Sequence, residues 1–155
     1  SLDSFKGAKA LVVIFSCNHC PYVIAYEDRM LKLQSDYKAR GVQLVAINAN
    51  DASTHPGDSF ESMVQRAKEK GFNFPYLRDE SQETARAYGA THTPHLFVFD
   101  SERKLAYTGK IDDNWKQPEA VAATYLRDAL DDLLAEKSPR LAETHAIGCT
   151  IKWKK

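Results

Sequence analysis

Hydrophobic residues are grouped along this chain in ways that mark most of its elements. Ala10 to Phe15 is an unbroken apolar run, the pattern of a strand covered on both faces. Val23, Tyr26, Met30, Leu33 and Tyr37 then recur at spacings of three and four, which predicts a helix reaching about Ala39 and ended by Gly41. Gln43 to Asn48 is a second apolar strand, suited by its length and the intervening helix to a parallel neighbour. Asn50 to Ser59, rich in Asp, Ser, His, Pro and Gly, reads as a loop, and Phe60 to Lys70 as a helix closed by Gly71. Phe74 to Leu77 is a short extended piece, and Ser81 to Tyr88 a short helix stopped by Gly89. Leu96 to Phe99 and Lys104 to Tyr107 alternate as the arms of an antiparallel hairpin around Asp100 to Arg103. Pro118, well placed for a first helical turn, opens a run with Val121, Tyr125, Leu126, Ala129, Leu130, Leu133 and Leu134 on one side. From Ser138 the periodicity is lost and a surface tail is expected.

The expected class is therefore α/β. The expected organisation is one domain over residues 1–137, followed by a tail over 138–155 that carries Cys149. At 155 residues, 43% hydrophobic and 27% charged, the chain has room for a real core and the composition of an ordinary globular protein. Its 21 basic and 21 acidic residues cancel without a long single-sign block, which argues against nucleic acid or an anionic membrane as the main partner. No apolar run approaches the roughly 18 residues of a membrane span. The first strong strand begins at residue 10, so a leader or N-terminal hairpin is expected to be missing ahead of it.

The chemistry is concentrated in Cys17-Asn18-His19-Cys20, where the first strand gives way to a helix beginning near Pro21. Unpaired backbone N–H groups and the positive end of the helix dipole favour thiolate there. A second thiol one turn away can attack a mixed disulfide formed at the first, so the pair is suited to thiol–disulfide exchange. Cys17 is the expected nucleophile and Cys20 the more buried resolving thiol. His19, between them, could tune the Cys17 pKa as an imidazolium. The alternatives are inert cysteines or half of a zinc site, but a structural zinc site wants four ligands and no second pair exists. Neither metal nor dissociable cofactor is expected. Three cysteines cannot all pair within the chain. Cys149 is either a surface thiol without a role or an accessory thiol that folds back onto Cys17 or Cys20.

Downstream, Gly89-Ala90-Thr91-His92-Thr93-Pro94 precedes the strand Leu96 to Phe99. This segment resembles the cis-proline loop of the thioredoxin superfamily, and the likeness runs from about Leu11 to Leu134. It implies a thioredoxin fold, a central mixed β-sheet flanked by helices, with Thr93 and Pro94 offering backbone groups to a substrate polypeptide. Val13 to Pro21, Thr108 to Trp115 and Gly148 to Trp153 look most like the peroxiredoxin-like (AhpC/TSA-type) branch. Ser16 stands where thioredoxins carry tryptophan, and Leu11 where they carry a buried aspartate that accepts a proton. Proton handling then falls to His19, Glu27, another group or water. Cys20 aligns with the peroxidatic cysteine of peroxiredoxins, Cys17 replaces their threonine, and Pro94 stands roughly where they tend to have an arginine.

The resemblance implies a thiol–disulfide oxidoreductase working through the Cys17/Cys20 couple. It acts on a disulfide-bearing protein or a small thiol substrate and exchanges electrons with a dithiol partner or glutathione. Its rival is a thiol peroxidase with Cys20 peroxidatic and Cys17 or Cys149 resolving. A metal-binding or non-catalytic adaptor is the third reading. Exposed cleft edges in this superfamily often make dimers, so a homodimer is among its expectations. Exchange pairs work in both reducing and oxidising compartments, and the cytoplasm is expected ahead of the bacterial periplasm.

Overall fold

The computed structural model describes residues 2–155. Its main sheet has five strands in the order β3-β2-β1-β5-β6: β1 (Ala10–Ser16), β2 (Val42–Asn48), β3 (Tyr76–Arg78), β5 (His95–Phe99) and β6 (Leu105–Gly109). β1, β2 and β3 run parallel, β5 runs antiparallel to β1, and β6 turns back along β5. A second, two-stranded ladder joins β4 (His92–Thr93) to β7 (Cys149–Thr150). The helices are α1 (Pro21–Tyr37), α2 (Phe60–Lys70), α3 (Glu83–Tyr88) and α4 (Tyr125–Leu134).

Every residue of β1 is buried because both sheet faces are covered. Val12 and Ile14 pack with Tyr26, Met30 and Leu33 of α1 and with Leu126 and Leu130 of α4. Leu11, Val13 and Phe15 face the other way, against Ala85 of α3, Phe97 and Ile151. This two-sided packing accounts for the unbroken apolar run in the sequence. α2 begins at Phe60 as expected, with Ser59 Oγ accepting the Ser62 N–H and Gly71 closing it at φ 64°. It docks on α1 through an ion pair between Arg66 and the buried Glu27.

Two expectations need correction. The last helix starts at Tyr125 rather than Pro118, which opens only a 3₁₀ turn, Pro118–Ala120. The backbone between is engaged elsewhere: the Asp113 carboxylate accepts the Ala122 N–H at 3.0 Å, and the Asp113 N–H reaches the Ala123 carbonyl at 3.2 Å. The segment after Ser138 is also more than a surface tail. Thr108 of β6 donates its N–H to the Ala142 carbonyl and accepts the Thr144 N–H, β7 pairs with β4, and Ile151 is buried among Leu11, Val13 and Phe15. Gly109 makes room for its passage. A Cβ there would lie 2.1 Å from Thr144 Oγ1, and its φ of 141° is one that side chains other than glycine rarely adopt.

Candidate active site

β1 ends at Ser16, and α1 starts at Pro21, whose missing N–H and fixed φ suit a first helical position. Cys17 to Cys20 form the turn between them. The N-cap is Cys20, with extended backbone (φ −66°, ψ 125°). It is therefore Cys20, not Cys17, that stands at the helix N-terminus. This corrects the expected placement of the two sulfurs, and exposure does not separate them: Cys17 is 4% and Cys20 5% exposed.

The turn is held from beneath by a polar network. Asn18, itself buried, donates its backbone N–H to Asp58 Oδ1 at 2.7 Å and its side-chain amide to the Gly57 carbonyl at 2.9 Å. Its Oδ1 accepts from the Tyr76 hydroxyl at 2.9 Å. Asp58 also accepts from Asn48 Nδ2 and Asn50 Nδ2, both at 3.0 Å. Desolvation, with the negative charges around it, pushes the Tyr76 phenol well above its usual range, so it remains a donor. Sequence reasoning missed Asn18, Asp58 and Tyr76. The available signal was the abrupt change from apolar β2 to Asn48-Ala49-Asn50-Asp51, at the carboxyl end of a parallel strand where crevices of α/β sheets form.

Above the turn sits the proline loop, and the Thr93–Pro94 bond is cis. Thr93 is buried and meets both cysteines: its Oγ1 lies 3.5 Å from Cys17 Sγ, and its carbonyl oxygen 3.4 Å from Cys20 Sγ. The Cys149 sulfur lies 2.7 Å from that of Cys20. The structure thus brings Cys17, Cys20, Cys149 and Thr93 together. His19 instead points outward, its exposed ring lying over Gly57. His95 accepts the Thr91 N–H through Nδ1 at 3.2 Å, and His92 contacts Thr91 Oγ1 at 2.7 Å. Tyr26 belongs to the core, whereas Tyr22 packs on the cysteines and against Trp115, ring centroids 4.2 Å apart. Asp112 is a structural anchor, bonded by Arg29 at 2.8 Å and the Tyr26 hydroxyl at 2.8 Å.

Electrostatics separate the three sulfurs. The hydrogen bond from Cys17 lowers Cys20 most, with help from Cys149 and from the Val23 N–H in the first turn of α1. Together they outweigh burial and hold Cys20 down to about 4. Cys17 moves the opposite way, because it donates to Cys20, is buried and faces the Asp58 charge. Burial first, then its bond to Cys20, pushes Cys149 up to about 11. Of the three sulfurs, Cys20 is the one these causes shift toward the anion, while Cys17 and Cys149 are shifted toward the thiol. No cluster of three or more metal-ligating side chains occurs among the described residues.

This strand order, a CxxC turn at the start of α1 and a cis-proline opposite it define a thioredoxin-fold thiol protein. The chain belongs to the Redoxin family, whose profile matches residues 1–126, and is an AhpC/TSA-type member of the thioredoxin superfamily with a CxxC motif. It is 31% identical over 98 residues to the thiol–disulfide oxidoreductase ResA of Halalkalibacterium halodurans. That match takes in 63% of this chain and 51% of the relative, so the chain spans about half the length of the curated protein it matches. A hypothetical protein from Sinorhizobium meliloti superposes with a TM-score of 0.92 at 40% identity, over 99% of this chain and 84% of the other. An uncharacterized conserved protein from Geobacillus kaustophilus does so with 0.91 at 43% identity, over 99% and 82%.

Proposed function

We propose that this chain is a thiol–disulfide oxidoreductase whose working couple is Cys17 and Cys20. One observation carries the reading: at the start of α1 both sulfurs lie against Thr93 of the cis-proline loop, Cys17 Sγ 3.5 Å from its hydroxyl and Cys20 Sγ 3.4 Å from its carbonyl oxygen. Likeness to ResA supports it. In the reduced protein the Cys20 thiolate attacks a substrate disulfide, forming a bond to one substrate sulfur and expelling the other. Cys17 then attacks the Cys20 sulfur, the Cys17–Cys20 disulfide closes and the second substrate sulfur leaves. Two electrons pass to the substrate, and the Cys17 proton goes to a departing thiolate. The reverse cycle inserts disulfides, and the potential of the couple against its compartment sets the direction.

Placing the thiolate on Cys20 reverses the order of attack expected from the motif alone. Cys17 has no helix N–H to stabilise an anion and faces the Asp58 carboxylate, whereas Cys20 has the Val23 N–H and two thiols. Substrates are disulfide-bearing proteins or small disulfides, regenerated by a dithiol protein or glutathione. Thr93 and Pro94 contribute by their backbone at the cleft edge, and His19 lies exposed at the rim of the turn.

The low pKa of Cys20 with two resolving thiols beside it also favours a second reading, a thiol peroxidase in which Cys20 becomes a sulfenic acid. Stopped-flow mixing of reduced protein with hydrogen peroxide and, separately, with a small aromatic disulfide distinguishes the two. The oxidoreductase reading expects rapid loss of two thiols to the disulfide and peroxide consumption no faster than that of a free low-pKa thiol. A peroxide rate orders of magnitude above that of free cysteine overturns it in favour of the peroxidase.

A further inference from the structure

The cleft edge at Thr93 is already occupied. β7 pairs antiparallel with β4, setting Cys149 opposite Thr93 and Thr150 opposite His92. The Ile151 N–H continues the ladder to the Thr91 carbonyl at 3.0 Å. At Gly148 the two backbones approach so closely that a Cβ would lie 2.0 Å from the Thr93 oxygen and 2.7 Å from its carbonyl carbon. Beyond the ladder the segment is fastened: Asp51 N–H to the Lys152 carbonyl at 2.8 Å, Lys152 N–H to Asn50 Oδ1 at 2.9 Å and Lys154 N–H to Gln82 Oε1 at 2.9 Å. Buried Ile151 closes the contact. Cys149 is the hydrogen-bond partner of Cys20 across this ladder, sulfur to sulfur. At 2.7 Å the two sulfurs need to move less than about 1 Å to reach bonding distance.

We propose that Gly148-Cys149-Thr150 is a resident substrate strand and Cys149 the third thiol of the centre. The inference rests on the exchange reading above and specifies its regulation. Once the Cys17–Cys20 disulfide has formed, the Cys149 sulfur attacks Cys20. The Cys20–Cys149 bond forms, the Cys17–Cys20 bond breaks, and Cys17 leaves as a thiolate that takes up the proton given up by Cys149. The step moves no net electrons and needs no other reactant. It leaves the oxidised protein with its tail locked over the cleft edge and Cys17 as a free thiol. An extended polypeptide can pair with β4 only by displacing β7, so the docked tail selects small disulfides, and the lock protects Cys20 from further oxidation.

Disulfide mapping on the full chain tests this. The protein is oxidised in glutathione disulfide, acid-quenched, alkylated and digested with trypsin without reduction. Cys17 and Cys20 share the peptide 10–29, and Cys149 lies in 141–152, so a Cys20–Cys149 bond joins two peptides and a Cys17–Cys20 bond joins none. Wild type is expected to yield the joined pair. In Cys17→Ser it should be the main product, and in Cys20→Ser it should be absent. Gly148→Val, which drives a side chain into the Thr93 backbone, should lose the joined pair while keeping the bond within peptide 10–29. A wild type and Cys17→Ser in which Cys149 is always alkylated overturn the inference, as does a joined pair that survives in Cys20→Ser. If wild type and Cys149→Ser both show peptide 10–29 with two alkylated thiols after oxidation, the exchange reading itself falls, and this inference with it.

Discussion

Replacing Asp58 by asparagine isolates what a buried carboxylate does beneath the cysteine turn. Its Oδ1 accepts the Asn18 N–H at 2.7 Å and Asn48 Nδ2 at 3.0 Å, and its Oδ2 accepts Asn50 Nδ2 at 3.0 Å. An asparagine carbonyl can keep the first two bonds, but its amide nitrogen then meets Asn50 donor to donor. One buried donor left without a partner costs roughly 1–3 kcal/mol, and the two surviving bonds lose their charge assistance. In a chain of this size 1 kcal/mol is worth about 2–4 °C, so the melting temperature of the reduced protein should fall by roughly 2–12 °C. The same substitution removes a negative charge that helps hold Cys17 protonated. Cys17 should therefore alkylate faster at neutral pH, read by fragment-ion mass spectrometry after timed iodoacetamide treatment. An unchanged melting temperature together with an unchanged or slower Cys17 rate would refute both halves of the reasoning.

Other perturbations have equally definite outcomes. Arg66→Met strands Glu27, whose side chain is 1% exposed. An uncompensated buried charge should cost about 3–5 kcal/mol in denaturant unfolding, and a loss under 1 kcal/mol would show that water reaches the site. Burial, then the nearby His92, depresses His95 to about 4 from an ordinary value of 6.5. The neutral ring therefore contributes stability above pH 6.5 that is lost as the pH falls toward 4. His95→Leu should flatten that limb of the stability–pH profile, and an unaltered slope would contradict the assignment. For Cys20, lowered to about 4 from 9.0, the stability gained is complete above pH 9 and disappears as the pH falls through 4. The stability difference between reduced wild type and Cys20→Ser should therefore widen from pH 4 to pH 8, and a constant difference would place the thiolate elsewhere.

What was legible in the sequence follows from how each element is stabilised. β1, β2 and α2 carry their own signals, because two-sided burial makes apolar runs and a serine cap with a closing glycine brackets a helix. β7 is two residues long and exists only because β4 lies beside it, so no local pattern announces it. The same holds for the Asn18–Asp58–Tyr76 network, whose members are polar residues 40 and 58 positions from Asn18. The cysteine pair was plain, but its polarity was not. Spacing says that two thiols share a turn, and the placement of Pro21 at the first helical position decides which of them caps the helix. Pro118 shows the limit of that same signal, since Asp113 holds the following backbone out of the helix.

The central claim is that Cys17 and Cys20 form one two-electron couple, and equilibration in glutathione buffers tests it most directly. With Cys149→Ser to remove the third thiol, the fraction of chains holding the bond within peptide 10–29 is measured by mass at each poise. The account predicts a single transition in which the oxidised-to-reduced ratio changes tenfold for about every 30 mV. Two thiols that stay alkylatable at every poise, or that stop as separate glutathione adducts, would contradict it.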